Sequence, residues 1–340
     1  MRRPGRPLPA SGGPDVSTRV GSVTLPNPVM TAAGTSGHGA ELGDYFELSD
    51  LGAIVVKSLS VKPWPGNRPP RVCPVPGGML NSVGLQGPGI AAWLEKDLPQ
   101  LLRCRARVVV SVWGRRLDEF AAAASLLASE AGPRGTAATP AVASAGVVAI
   151  EVNVSCPNLE DRSRMFAHSP EATAAAVRAV SQSGLPVWAK LSPNTDALIE
   201  VAGAALDAGA EAVTLVNTLI GLAIDVDRRR PTLGAGGGGL SGAALHSVAL
   251  RAVYDCRTAY PDAAIVGVGG IADGEGALRM LMAGANAVQV GTATLADPRA
   301  PRRVLDELSS LLERDGGSVA EIVGAALETR SASRAPVAGR

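Results

Sequence analysis

Val147-Val-Ala-Ile-Glu-Val-Asn153 is a mainly apolar run that ends in a polar residue, and Val154-Ser-Cys-Pro-Asn158 follows it directly. The run is too short for a buried helix and too continuous for a strand with one face in water. It is typical of a strand in a parallel sheet that is covered on both faces. A group of polar side chains then lies just beyond the carboxyl end of this strand.

Seven other runs have the same character, and each is followed by a loop and then by an Ala-rich stretch that favours a helix. They are Pro28–Ala32, Ala53–Lys57, Val108–Val112, Pro186–Lys190, Ala212–Val216, Ala264–Gly267 and Ala287–Val290. Eight β-then-α units close naturally, so we predict an α/β protein with a (β/α)8 TIM barrel. An open doubly wound sheet is the alternative, but eight units suit closure better.

Helix end signals lie between these runs. Ser169 followed by Pro170 is typical of a helix start, and two other helical stretches end before Gly209 and Gly284. The helices predicted in this way are 118–130, 170 to about 183, 196–208 and 274–283.

The segments that flank the strands have distinct compositions. Thr18–Leu25 predicts a small N-terminal β-hairpin, placed to plug the barrel floor. Pro63–Gly89 is an extended Pro/Gly-rich loop after strand 2, and such loops on this face are more often functional than disordered. Residues 132–146 predict a flexible insertion without chemistry. The predicted organisation is a disordered Arg/Pro-rich N-terminus (1–15), a barrel domain (16–315) and a C-terminal helix with a poorly ordered tail (316–340).

Composition and charge argue against several classes of protein. The net charge is +1 and no long basic block occurs, so nucleic-acid binding is not expected. No stretch of about 18 apolar residues could span a membrane, and the first residues lack the apolar run of a signal peptide. The cysteines are scattered without a CxxC pair, which argues against a zinc or iron-sulfur site and favours free thiols in a reducing cytoplasm.

The active site of a barrel lies at the carboxyl ends of its strands. The side chains there include lysines, amides, hydroxyls and a thiol, but neither a carboxylate pair nor a histidine. This set argues against most metal hydrolases and glycosidases, and we predict no metal site. The positions are Ala33-Gly34, Lys57-Ser58, Ser111, Asn153 with Ser155-Cys156, Lys190, Asn217-Thr218, Gly269-Gly270 and Gly291-Thr292. His38, His168 and His246 receive no role as a base.

Glycines follow the last two strands, in Gly267-Val-Gly-Gly-Ile-Ala-Asp273 and in Gly291-Thr292. Glycine lets backbone N–H groups approach a phosphate, and these two loops form the recurrent phosphate site of the fold. We therefore predict a phosphate-bearing ligand or cofactor there, in preference to two plain tight turns.

Lys57 and Lys190 are two of only four lysines among 32 basic residues, and each ends an apolar run. A compact ammonium is favoured where a guanidinium fork would not fit, so we assign both a functional role over chance placement. Cys156 lies among amide side chains beyond a buried strand. The commoner role of a lone cysteine is structural, and that role fits the other three, Cys73, Cys104 and Cys256.

In order along the chain, these motifs resemble class 1 dihydroorotate dehydrogenases, and most closely the NAD-linked 1B catalytic subunit, over roughly Val16 to Ala300. The segments that carry the resemblance are Val56–Ser58, Gly66–Val72, Gly78–Gln86, Asn153–Asn158, Ala189–Asn194, Val216–Gly221, Gly239–Gly242, Gly267–Ile271 and Val290–Ala293. The family uses a cysteine as its base in class 1 and a serine in class 2, so Cys156 favours class 1.

The resemblance implies an FMN-dependent oxidation of dihydroorotate to orotate in de novo pyrimidine (UMP) biosynthesis. Cys156 would take the C5 proton while C6 delivers hydride to flavin N5, and Lys57 and Lys190 would complete the catalytic set. The implied substrate contacts are Lys57, Asn81, Ser82, Val83, Gly84, Leu85, Asn153, Asn158, Asn217 and Thr218. The implied FMN contacts are Ala33, Lys57, Ser58, Ser111, Asn153, Lys190, Val216, Gly242, Gly269, Gly270, Gly291 and Thr292.

Three positions depart from the family pattern. Ala33 and Ser111 stand where the family usually offers a hydroxyl and an asparagine near FMN, which predicts modestly weaker FMN binding. Leu159-Glu-Asp-Arg-Ser-Arg-Met165 replaces a Gly-rich lid, which predicts altered lid motion or substrate choice. Arg162 and Arg164 in this lid either favour another anionic substrate or, as we prefer, face solvent.

Two other functions fit the resemblance: a dihydropyrimidine dehydrogenase-like reductase of uracil or thymine, and a catalytically silent flavin-binding paralogue that acts as a partner subunit. The 1B branch also implies a separate FAD/iron-sulfur subunit that passes electrons to NAD, with fumarate or a quinone as other acceptors. Family likeness implies a homodimer.

Overall fold

The computed structural model describes residues 15–128, 143–155, 165–315 and 317–327. The strands in these ranges are β1 (Thr18–Val20), β2 (Val23–Leu25), β3 (Val29–Thr31), β4 (Ile54–Val55), β5 (Val72–Val75), β6 (Gly78–Asn81), β7 (Arg107–Val112), β8 (Gly146–Asn153), β9 (Val187–Lys190), β10 (Ala212–Leu215), β11 (Leu219–Gly221), β12 (Ile224–Asp225), β13 (Arg230–Pro231), β14 (Gly238–Ser241), β15 (Ala264–Val268) and β16 (Ala287–Val290). The helices are α1 (Ile90–Lys96), α2 (Leu98–Arg103), α3 (Leu117–Ala128), α4 (Pro170–Ser181), α5 (Leu198–Asp207), α6 (His246–Ala259), α7 (Gly274–Met282), α8 (Thr292–Ala296), α9 (Ala300–Asp315) and α10 (Val319–Ile322). Short 3-10 helices cover Glu41–Asp44, Leu48–Asp50, Phe166–His168 and Ala243–Leu245.

Eight parallel strands of the described chain form one sheet in the order β3-β16-β15-β10-β9-β8-β7-β4. A parallel bridge between Met30 and Ala53 joins the two end strands, and the amide of Thr31 donates to the carbonyl of Ala53 at 3.3 Å. The sheet is therefore closed into a barrel, and the predicted fold is confirmed. The eight apolar runs are its strands, with bounds that differ from the predicted ones by at most two residues.

The hairpin β1–β2 closes the amino-terminal end of the barrel, as predicted. Val20 and Leu25 are fully buried and pack in one cluster with inward-facing side chains of the barrel strands, including Met30, Val109 and Trp188. The hairpin thus supplies the apolar floor on which the polar upper half of the barrel rests.

The predicted helices are present with small shifts at their ends. The Ser169 hydroxyl accepts from the Ala172 amide at 3.1 Å and caps α4, while Asp273 caps α7 through the Gly276 amide at 2.7 Å. Both caps satisfy amides of the first turn that have no partner within the helix. The insertion predicted at 132–146 lies mostly outside the described residues, and the boundaries at residues 15 and 315 stay predictions.

A second sheet stands over the barrel mouth, with antiparallel order β11-β14-β6-β5. The extended loop after strand 2 is present, and it contains the hairpin β5–β6, which the sequence analysis did not predict. The two central strands pair Leu80 with Leu240, and Leu80 is buried in a small apolar cluster with Cys73 and Leu233. The sheet therefore gives a fixed platform to the segment Asn81–Leu85, called here the Asn81 loop. In the described residues no helix is long and apolar enough to cross a membrane.

Candidate active site

Polar side chains from neighbouring barrel strands meet at the carboxyl edge of the sheet. Asn153 ends β8 beside Lys190, which ends β9, and both are almost completely buried. The Asn153 amide donates to the Ser58 hydroxyl at 3.2 Å, and this hydroxyl lies 2.8 Å from that of Ser111. The Ser111 hydroxyl is thus tied into the network.

Below this edge lies a buried carboxylate that the sequence analysis did not select. Glu151 is fully buried on β8 and accepts from Gln289 Nε2 at 2.6 Å and from Thr214 Oγ1 at 3.2 Å. Its other oxygen lies 3.6 Å from Lys190 Nζ, which also donates to Gln289 Oε1 at 3.1 Å. The alternation of Ala149, Glu151 and Asn153 along one strand was the available signal, because alternate residues face the barrel interior.

Lys57 lies half-buried just beyond β4, where positive charge accumulates. Its pKa is lowered, first by burial, which disfavours the charged ammonium, and then by the nearby charge of Arg71. The pKa of His38 is also lowered, by burial and then by Lys57, with Glu41 opposing. Lys57 and Arg71 thus place two positive charges at one wall of the mouth, which suits a carboxylate.

The five predicted substrate contacts at 81–85 lie at the end of β6 and in the loop that follows it. The Asn81 amide donates to the Gly239 carbonyl at 3.3 Å, and Asn67 donates to the Ser82 hydroxyl at 2.9 Å. Gly84 and Leu85 both have positive φ, at 72° and 60°. The Val83 carbonyl accepts from the Asn67 amide at 3.0 Å, so the loop is held by hydrogen bonds on its own side.

The segment after β10 brings Val216, Asn217 and Thr218 to the same edge. Val216 is buried, and the Asn217 amide group donates to Asn153 Oδ1 at 3.4 Å. Thr218 is held from both sides, since its N–H donates to Asn217 Oδ1 at 2.8 Å and its carbonyl accepts from Asn194 at 2.9 Å. Asn194 was quoted in a motif but not selected as a site residue, and here it orients the predicted substrate contacts.

The predicted phosphate loops form a glycine cradle, defined as Gly242, Gly269, Gly270, Gly291 and Thr292. Gly242, Gly269 and Gly270 have φ values of 102°, 139° and 67°, a region that side-chain-bearing residues rarely adopt. A Cβ on Gly270 would lie 2.7 Å from the Gly242 carbonyl oxygen. The Thr292 hydroxyl lies 2.8 Å from that of Ser241. A cradle lined by backbone and hydroxyls fits the phosphate of a cofactor such as FMN.

A histidine lies at this cradle. His246 begins α6, and its Nδ1 is 3.0 Å from the carbonyl oxygen of Gly269. His246 was not expected to act as a base, and the structure gives it a different task, because its ring contacts the backbone of the cradle.

Of the remaining predicted site residues, one is described by the structure and the others lie outside the described residues. Ala33 is half-buried and packs against the inner cluster, so it offers only van der Waals contact. Cys156 and Asn158 lie outside the described residues, as do Arg162 and Arg164. Ser155, the last described residue before Cys156, donates its N–H to Asn153 Oδ1 at 3.1 Å, which ties the start of that segment to the site.

The other cysteines fit the structural role predicted for them. Cys73 and Cys256 are buried, Cys104 is half-buried, and all three are free thiols. Burial raises the pKa of Cys256 to about 11, which keeps this thiol protonated and unreactive. Within the described ranges no group of three His, Cys, Asp or Glu side chains could hold a metal ion.

Comparison with known proteins agrees with this geometry. Residues 15–312 match the family model described as dihydroorotate dehydrogenase. The chain is 43% identical over 314 residues to the dihydroorotate dehydrogenase B (NAD+) catalytic subunit of Geobacter sp. (strain M21), covering 92% of this chain and 98% of the relative. It is 44% identical over 312 residues to the protein of the same name from Desulforudis audaxviator (strain MP104C), covering 91% and 97%.

Proposed function

The chain belongs to the dihydroorotate dehydrogenase family, and on that premise we propose that it oxidises dihydroorotate to orotate in de novo pyrimidine biosynthesis, with FMN as its resident cofactor. The family is flavin-dependent in general. One observation carries the proposal: the buried ammonium of Lys190 bonds to Gln289, and the strand that bears Gln289 leads directly into the cradle at Gly291-Thr292. A buried cation that is linked through Gln289 to the strand preceding a phosphate cradle fits the two ends of FMN.

The residues at the barrel mouth would contact three parts of the cofactor site: the phosphate, the flavin ring and the wall beside the ring. Gly269, Gly270, Gly291 and Thr292 would hold the FMN phosphate, and Lys190 would face the flavin ring. Ser58, Ser111 and Asn153 would line the same wall, together with Ala33 and Val216, while Gly242 would complete the cradle.

The substrate would bind between the barrel edge and the Asn81 loop. Lys57 supplies an ammonium for its carboxylate, and the positive charge of Arg71 adds to the attraction. The amides of Asn81, Asn153, Asn158 and Asn217, with Thr218 and the loop Ser82–Leu85, would hydrogen-bond the pyrimidine ring. Because these groups belong to different elements, they fix the ring in one orientation.

Cys156 is proposed as the general base, with its thiolate removing the C5 proton of dihydroorotate. Bound FMN would supply the acceptor for the C6 hydride. The hydrogen bond from the Ser155 N–H to Asn153 supports this assignment, because it anchors the residue before Cys156 at the substrate side of the barrel.

The reduced enzyme needs an electron acceptor. The relatives are named as catalytic subunits of an NAD+-linked enzyme. We propose that this chain likewise passes electrons to a separate FAD/iron-sulfur subunit, works as a homodimer and acts in the cytoplasm. Fumarate or a quinone would replace that subunit if the chain acts alone.

Steady-state turnover with an artificial dye as acceptor tests the proposed substrate. We expect dihydroorotate to reduce the dye and dihydrouracil to react at least about a hundredfold more slowly, because dihydrouracil lacks the carboxylate that Lys57 would bind. Preference for dihydrouracil would instead support the dihydropyrimidine dehydrogenase-like alternative. A protein that binds FMN and oxidises neither would be a silent paralogue.

A further inference from the structure

The Glu151 carboxylate occupies the centre of the barrel, one layer below the mouth. It is fully buried, and the groups facing it are Gln289 Nε2, Thr214 Oγ1 and Lys190 Nζ. Both hydrogen bonds go to Oε2. Oε1 accepts none in the described structure, and it lies 3.6 Å from the Lys190 ammonium.

Burial of this carboxylate costs free energy of folding. A buried carboxylate loses several kcal/mol of hydration, and a pair of buried charges is often no more stabilising than apolar residues of the same volume. The layer of side chains directly below Glu151 is apolar, so packing of the barrel interior does not itself require a charge. Stability alone therefore does not explain why a glutamate stands here.

The geometry around Lys190 supplies an explanation. The Gln289 amide is fixed at both ends, because its NH2 group donates to Glu151 while its oxygen accepts from Lys190. The Lys190 ammonium is thereby held from one side by the amide oxygen and the carboxylate. Of its three N–H donors, at least one remains directed away from this pair.

We propose that Glu151 is a positioning residue that acts through Lys190: with Gln289 it fixes the ammonium at the place from which it stabilises reduced FMN, and so raises the reduction potential of the bound flavin. The inference rests on the proposed function, which places Lys190 beside the flavin ring.

Glu151→Gln tests the sign of the effect. The variant keeps the shape of the side chain but replaces the carboxylate with a neutral amide. The Lys190 ammonium then loses its anionic partner and moves from its place. The equilibrium should then shift toward oxidised FMN by about tenfold, which is about 30 mV lower for a two-electron couple. If Glu151 acted only as a nearby negative charge, its removal would raise the potential instead.

The measurement is the reduction potential of bound FMN, by equilibration with indicator dyes, in wild type, Glu151→Gln, Lys190→Met and the double variant. We expect Glu151→Gln to lower the potential in the wild-type background and to leave it unchanged in the Lys190→Met background. A raised or unchanged potential in the single variant, or an equal shift in both backgrounds, would overturn the inference.

Thr214→Val is the matched control. It removes a hydrogen bond to the same carboxylate but keeps the charge opposite Lys190, so it should lower stability without lowering the potential. A potential that falls as far as in Glu151→Gln would show that any damage to the network suffices, which contradicts the proposal.

Gln289→Met provides the second test if Glu151→Gln does not fold. It removes the amide that links Glu151 to Lys190 and should also lower the reduction potential of bound FMN. An unchanged potential would overturn the proposal. Wild-type protein that does not bind FMN would contradict the proposed function and this inference together. Normal wild-type reduction with unchanged variant potentials would contradict this inference alone.

Discussion

Lys57 and Lys190 stand out in the sequence because lysine is rare in this chain, and the structure places them in different electrostatic settings. Lys190 is buried against Glu151 and Gln289, whereas Lys57 is half-buried with Arg71 nearby and forms no salt bridge within the described residues. Lys190 is thus held by the protein, and Lys57 is available to an anionic substrate.

The lowered pKa of Lys57 predicts how substrate binding depends on pH. Its charge is present below the folded-state pKa and is lost as pH rises through it, so affinity for the anionic product orotate should fall earlier than for an ordinary lysine. Lys57→Arg keeps its charge and should show a flatter alkaline limb. The dissociation constant of orotate between about pH 7 and pH 10, followed by the flavin spectrum, measures this. Equal pH dependence in the two proteins would exclude Lys57 as the carboxylate ligand.

Single residues could be predicted from the sequence where their chemistry is unusual for the surrounding run, as for the two lysines. Residues whose role is to hydrogen-bond other side chains inside the barrel could not. Glu151 was hidden because one charged residue inside an apolar run does not change the strand pattern. Gln289 and Thr214 were missed for the same reason, since their role depends on partners from strands far apart in sequence.

Among the elements, the barrel strands were predictable and the second sheet was not. A strand covered on both faces must be almost wholly apolar, so β8 and its neighbours stand out in the sequence. β6 and β14 are short, begin with glycine and are mostly half-buried, and their pairing joins segments more than 150 residues apart. Their composition resembles that of a loop, and only the fold brings them together.

The floor hairpin is expected to carry much of the stability of the barrel. Leu25→Ala would leave a cavity in the inner cluster and should lower the free energy of unfolding by about 2–5 kcal/mol. Arg19→Ala, on the exposed side of the same hairpin, should change it by no more than about 0.5 kcal/mol. Urea unfolding of the two variants gives the comparison, and equal effects would mean that the hairpin does not contribute to the core.

The glycine cradle predicts a specific loss of cofactor binding. Gly270→Ala combines positive φ with a clash against the Gly242 carbonyl, at a cost of about 1–3 kcal/mol, and should weaken FMN binding about tenfold or more. Gly236→Ala is the control, because its φ of 92° imposes similar strain while no described atom beyond its chain neighbours lies within 4 Å of the added Cβ. Titration of the apoprotein with FMN should separate them. Equal losses in both variants would place the phosphate elsewhere.

For the whole molecule, the proposed division of labour between subunits has a direct consequence. The relatives are named as catalytic subunits of an NAD+-linked enzyme, so the isolated protein should be reduced by dihydroorotate yet form no NADH from NAD+. Addition of a purified FAD/iron-sulfur subunit from a 1B enzyme should restore NADH formation. The assay is NADH appearance with and without that subunit, and NADH formation by the chain alone would contradict the proposal.

The central claim is that the chain oxidises dihydroorotate with FMN and that Cys156 removes the proton. The most direct measurement is anaerobic mixing of dihydroorotate with the purified protein and with Cys156→Ala at neutral pH, following the loss of oxidised-flavin colour. The account predicts that both proteins are yellow, that wild type bleaches, and that the variant does so at least about a hundredfold more slowly, as expected for loss of a general base. Wild-type protein that stays oxidised, or a variant that bleaches at nearly the wild-type rate, would contradict it.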